Sequence, residues 1–218
     1  MKTGKSNYIF LLIGMLALQF WIALAGEFPD RVQPDLIPFA LVITLWMGVW
    51  ALLERRLYRN IGIVLAVVAG LAFTIQEVTG AKALLITGYI AVLSFYLGST
   101  GVAFTHVLFV GPVNRNKIFG VICVYLMLGM SWAIMYNLMY DFEPASFNGI
   151  AESAGDAVLS QFVYFSFVTL STLGYGDITP ALPTARFLAY AEATFGQFYI
   201  AIVVASLVSA YIAGSRKH

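Results

Sequence analysis

The residues best suited to chemistry in this chain are Thr172-Leu173-Gly174-Tyr175-Gly176-Asp177. What they suit is not bond breaking but the handling of an ion. Backbone carbonyls lining a narrow passage as stacked rings replace the water shell of a desolvated cation. To aim successive carbonyls at one axis, the backbone alternates between right- and left-handed dihedrals. Gly174 and Gly176 supply positive φ values at little steric cost. Thr172 adds a hydroxyl below the carbonyls, and the ring of Tyr175 points outward to hold the loop open.

Such a loop has to be held by helices. Asp156 is placed to cap a short helix through Ala157, Phe162, Phe165 and Val168 toward Thr169, an acid there also suiting the helix dipole. Fourteen residues at 1.5 Å each reach about 21 Å, too short for a bilayer core of about 30 Å. The segment therefore reads as re-entrant and must be buried in protein. Its C-terminal carbonyls favour a cation. Phe162, Tyr164, Phe165 and Phe167 form an aromatic collar around it, chiefly as packing. Six further segments are apolar enough to span: Tyr8–Gly26, Leu36–Leu53, Ile61–Ile75, Ala83–Val110, Ile118–Tyr140 and Ala185–Ala213. The third is the shortest, with room to extend through Asn60 and Gln76. The fourth is overlong, and Gly98 with Gly101 offers a place to break or kink.

Thr169 to Pro180, with the helices around it, resembles the pore module of tetrameric potassium channels, over about Ile118 to Ala213. The resemblance implies that the carbonyls of Thr172, Leu173, Gly174 and Tyr175 bind potassium, with Gly176 completing the filter. It implies a hydrogen bond from Tyr164 to Asp177 in support of the filter. Val168, where relatives carry either a glutamate or an apolar residue, is the apolar version. Gly196, 19 residues after Asp177, matches a gating hinge of the inner helix; the competing reading is a small residue that permits close helix packing. Gln197, Ala201, Val204 and Val208 follow at helical spacing as candidates to line a cavity. Ile212 lies a turn later, where an apolar constriction gates by dewetting.

Glu192, one turn before Gly196, is an acid inside a span. Such residues are costly and face a partner or water. Hydrogen bonds to pore-helix hydroxyls at Ser166, Thr169 or Ser171 are the favoured reading, electrostatic support of the filter the other.

Hydrophobic residues make up 61% of the 218 and charged residues 11%, far from a soluble domain. With a net charge of +1 there is no basic surface for nucleic acid. Cys123, the one cysteine, sits in an apolar run and excludes an intrachain disulfide. Lys2, Lys5, Arg55, Arg56, Arg59, Arg115, Lys117, Arg216 and Lys217 fall on one side of a six-span arrangement. By the positive-inside rule both termini are cytoplasmic. Asp141 to Thr184 carries acids but no Lys or Arg, which suits an outer cation entrance. Residues up to Ala25 also fit a cleavable signal peptide, although the apolar run is long for one.

The fourth span, Ala83–Val110, lacks the Arg or Lys series of a voltage sensor. It holds His106, in the range where pH sensing is possible but more often a packed or interfacial residue. Only five residues follow Ala213, so no cytoplasmic ligand-binding domain is expected at either end. No catalytic motif is present, so neither enzyme activity nor a cofactor is expected beyond potassium as the passing ion.

The expectation is an all-α membrane protein: six transmembrane helices plus a re-entrant pore helix and filter loop. Residues 1–117 form a non-voltage-sensing four-span domain and residues 118–218 the pore domain. Four copies close one potassium-selective pore in a lipid membrane, a bacterial inner membrane in the simplest case. A poorly selective cation channel on the same scaffold is the nearest alternative. A transporter or non-conducting membrane subunit is the alternative of another class, although the inverted repeats common in transporters are missing.

Overall fold

The structure is a computed structural model, and it describes residues 8–27, 36–52, 56–109, 115–151 and 158–215. Seven α-helices account for nearly all of them: α1 Tyr8–Glu27, α2 Leu36–Leu52, α3 Arg56–Thr79, α4 Lys82–Phe109, α5 Arg115–Phe142, α6 Val158–Leu170 and α7 Pro183–Ser215. Among the described residues, every apolar segment read from the sequence is helical. Three stretches among the described residues are long and apolar enough to cross a membrane: Arg56–Thr79, Lys82–Thr105 and Asn116–Phe142.

The helices outrun the apolar segments where polar residues can prolong them. α3 begins at Arg56 rather than Ile61 and ends at Thr79 rather than Ile75. A helix satisfies its own backbone whatever its side chains, and Arg56 and Arg59 can lay their stems along apolar surface with their charges directed away. Gly98 and Gly101 do not break the helix: α4 runs continuously from Lys82 to Phe109.

α5 is the centre of the fold, packing against α1, α4, α6 and α7. Its Met127, Met130, Ile134 and Tyr136 are fully buried. Tyr136, Phe147, Phe162 and Phe165 stack edge-on or tilted, with ring centroids 4.9–6.3 Å apart. Large apolar side chains remain exposed, among them Phe10 and Phe20 of α1, Val64 and Leu71 of α3, and Phe187, Phe195 and Phe198 of α7. In water such a surface would aggregate; against lipid tails it is matched to its solvent. By length and composition these helices suit a chain that crosses a membrane more than once.

Within lipid, apolar burial supplies little drive for helix association, so close packing and hydrogen bonds fix the arrangement. Tyr199 Oη of α7 donates to the Val121 carbonyl of α5 at 2.6 Å. Thr44 and Tyr96 share a hydrogen bond of 3.0 Å between α2 and α4. Lys82 Nζ donates to the Asp141 carbonyl at 2.7 Å, joining the α3–α4 turn to the end of α5. A two-residue antiparallel pair, β1 Phe147–Asn148 with β2 Thr179–Pro180, ties the segment after α5 to the one after the loop that follows α6. Ala181 N–H continues that tie to the Ser146 carbonyl at 2.8 Å.

Candidate functional site

The loop that follows α6 is where the backbone stops serving the fold. Ser171 to Asp177 are all exposed, yet the helix that delivers them is deeply seated, with Leu159, Phe162, Ser166 and Leu170 fully buried. α6 has 13 residues, the re-entrant length expected from sequence. Its expected cap, Asp156, and Ala157 lie outside the described residues.

At the end of α6 the amides fold back on the helix. Thr172 N–H donates to the Thr169 carbonyl at 2.9 Å. Leu173 and Gly174 N–H both donate to the Val168 carbonyl, at 2.9 and 3.3 Å. In a trans peptide the N–H and the preceding C=O point in opposite directions, and no peptide here is cis. Turning the amides of Leu173 and Gly174 toward α6 therefore turns the carbonyls of Thr172 and Leu173 away from it. Among the described residues, none of the carbonyls of Thr172, Leu173, Gly174 and Tyr175 accepts a hydrogen bond.

The backbone reaches this shape by placing every second residue in the left-handed region: Thr172 at φ 61°, Gly174 at 60° and Gly176 at 80°. The two glycines were expected there. Thr172 was not, and a β-branched residue at positive φ is strained, by about 1–3 kcal/mol. It is the one non-glycine residue with positive φ among the described residues.

Three side-chain contacts brace the loop. Tyr164 Oη donates to Asp177 Oδ2 at 2.7 Å, the hydrogen bond that the resemblance implied. That bond holds the Asp177 carboxyl below the ordinary carboxylate range, with help from the Ile178 and Asp177 amides and against a smaller desolvation effect. The Tyr164 and Tyr175 rings lie nearly parallel, 7° apart with centroids 6.4 Å apart. Gln197 Nε2 of α7 donates to Thr172 Oγ1 at 3.2 Å.

Behind the loop lies the acid. Glu192 is completely buried. Its Oε1 accepts from Ser166 Oγ at 2.5 Å and its Oε2 from Tyr136 Oη at 2.6 Å. Of the three pore-helix hydroxyls considered, Ser166 is the partner; Ser171 instead bonds the Phe167 and Val168 carbonyls of its own helix. Ser166 Oγ also lies 2.8 Å from the Gly129 carbonyl, so a single proton faces two acceptors. One carboxyl thus joins α5, α6 and α7 behind the exposed carbonyls. Tyr136 went unnoticed in the sequence. The available signal was a tyrosine within an apolar span, whose hydroxyl needs a partner when buried.

Gly196 is buried where α7 crosses the end of α6, and a Cβ there would fall on the Leu170 carbonyl. Close approach is thus a sufficient reason for the glycine, and α7 passes through it as one helix. Ala201 is exposed on the same helix. The side chains of Val204, Val208 and Ile212, like that of His106, lie outside the described residues.

The arrangement presents a row of free carbonyls on a braced, strained loop, a geometry that can ligate a desolvated cation. Residues 120–213 match a protein-family model described as "Ion channel". Among curated proteins, the chain is 39% identical over 56 residues to Two pore potassium channel c of Oryza sativa subsp. japonica, covering 26% of this chain and 12% of that protein. It is 33% identical over 98 residues to Two-pore potassium channel 5 of Arabidopsis thaliana, covering 44% and 21%. It is 32% identical over 87 residues to Protein LctB of Bacillus caldotenax, covering 38% and 64%. The matched part of the chain thus spans about an eighth and a fifth of the two plant relatives. No solved structure matches the chain. Residues 120–213 are thus similar to an ion-channel family, and the two plant relatives that share this similarity are potassium channels.

Proposed function

We propose that this chain is the subunit of a potassium-selective channel that conducts passively through four copies around one pore. The observation that carries this reading is the run of carbonyls from Thr172 to Tyr175 that accept no hydrogen bond among the described residues, the first two turned outward by amides that fold back on α6. One chain supplies one such row. A row left open to lipid would leave its carbonyls unsatisfied, whereas four rows facing one another enclose an ion. The exposed Phe187, Tyr190, Phe195 and Phe198 of α7 offer apolar surface for neighbouring copies or lipid.

On this reading Thr172, Leu173, Gly174, Tyr175 and Gly176 form the filter, supported by Asp177, Tyr164 and Glu192. Gln197, Ala201, Val204 and Val208 line the cavity, and Gly196 and Ile212 serve gating. α1, α2, α3, α4, α5 and α7 are the six spans and α6 the re-entrant helix, with residues 1–117 as an N-terminal domain, residues 118–218 as the pore domain and both termini cytoplasmic. α4 has no Lys or Arg after Lys82, so voltage is not expected to drive opening.

Purified protein in liposomes tests the reading. It should pass potassium in preference to sodium, and Gly174→Ala, which puts a side chain at φ 60°, should abolish the flux or the preference. Equal sodium and potassium flux through the unmutated protein would favour a poorly selective cation channel on the same scaffold.

A further inference from the structure

The contact between Gln197 and Thr172 joins two exposed side chains, one on α7 and one on the loop. Gln197 is the sole amide side chain of α7, set between Phe195-Gly196 and an apolar run from Phe198 to Val204. A polar side chain at such a position is retained for a partner or a water-filled path. Its reach is set by its neighbour. Gly196 lies against the Leu170 carbonyl, which fixes the register of α7 on the end of α6 and brings the next residue beside Thr172. Thr172 in turn is the strained residue of the loop, at φ 61° without being glycine.

We propose that Gln197 is a positioning residue for the inner end of the ion path. Its amide N–H₂ occupies one lone pair of the Thr172 hydroxyl, fixes that side chain's rotamer and leaves the second lone pair to face the ion. Four such contacts in the assembled pore hold one ring of hydroxyl oxygens at constant spacing. Gly196 and Gln197 act together, the first by close approach and the second by hydrogen bonding. The inference rests on the potassium-channel reading above and adds to it a residue on the inner helix that sets ion affinity without belonging to the loop.

The test is a double-mutant cycle on the purified full-length chain. Gln197→Met keeps length and removes the donor; Thr172→Val keeps shape and removes the hydroxyl. The potassium concentration that half-protects the assembly against heat dissociation is measured for the parent, each single variant and the pair, alongside heat dissociation in potassium-free buffer. Each single variant should raise that concentration roughly three- to tenfold, the scale of one net hydrogen bond, and leave dissociation without potassium unchanged. The pair should be no worse than the poorer single variant. Gln197→Asn, which keeps an amide in the membrane but is too short to reach Thr172, should behave like Gln197→Met and covers the case in which the methionine variant fails to assemble. Parent-like potassium affinity in Gln197→Asn or Gln197→Met, or losses that multiply in the pair, would overturn the inference. Were the unmutated protein itself to respond equally to sodium and potassium, the potassium-selective reading would fail first.

Discussion

At the residue scale, the loop depends on side chains that are distant in sequence. Glu192 stood out at once as an acid in a span, and Ser166 was among its expected partners. Tyr136 was not, because it is 56 residues away on another helix and local spacing carries no trace of such a pairing. Glu192→Gln should preserve potassium selectivity and assembly, since an amide oxygen still accepts from Tyr136 and the amide nitrogen can donate to Ser166. Glu192→Leu strands the Tyr136 hydroxyl in a dry site, at about 1–3 kcal/mol, and leaves Ser166 only the Gly129 carbonyl. Its assembly should dissociate at lower temperature, as read by native gel electrophoresis after heating; a leucine variant as heat-resistant as the parent would remove Glu192 from the support of the filter. Asp177 gives a pH prediction. Its folded-state pKa is depressed, chiefly by Tyr164, so its contribution is fully present above the ordinary aspartate value near about 4 and is lost as pH falls through the depressed value. External acid in that range should reduce current reversibly, and Asp177→Asn should lose this response. Acid inhibition of equal size in Asp177→Asn would assign the effect to another group.

At the element scale, the apolar runs were enough to locate the long helices, because a membrane helix must satisfy its backbone internally. Their ends were less legible: α3 continues through Arg56 and Glu77, residues a hydropathy reading discards. The β1–β2 pair left no signal at all, since two residues per strand show no periodicity. The alternation of the filter was legible at Gly174 and Gly176 and illegible at Thr172, where residue type argues against the conformation it adopts. Gly196 was read as hinge or packing residue, and the Leu170 carbonyl against it now gives the packing reading a physical cause. Gly196→Ala separates the two. Close packing predicts overpacking of about 1–3 kcal/mol and hence an assembly that dissociates at lower temperature in open and closed channels alike. A hinge alone predicts unchanged heat resistance with altered open probability, measured on the same preparation in planar bilayers.

At the scale of the whole molecule, a bundle centred on α5 holds a short buried helix, and that helix holds a strained loop. α1 and α4 pack on α5, while α2 packs on α1, α3 and α4, and α3 packs on α4. α4 carries no Lys or Arg after Lys82, which is why opening driven by voltage is not expected. The central claim is that the carbonyls from Thr172 to Tyr175 select potassium. It is tested most directly by the reversal potential of single channels, reconstituted from purified protein in planar bilayers with potassium on one side and sodium on the other. The account predicts a reversal potential close to the potassium equilibrium value, collapsing toward zero in Tyr175→Asp if that variant conducts at all. A reversal potential near zero in the unmutated protein would contradict it.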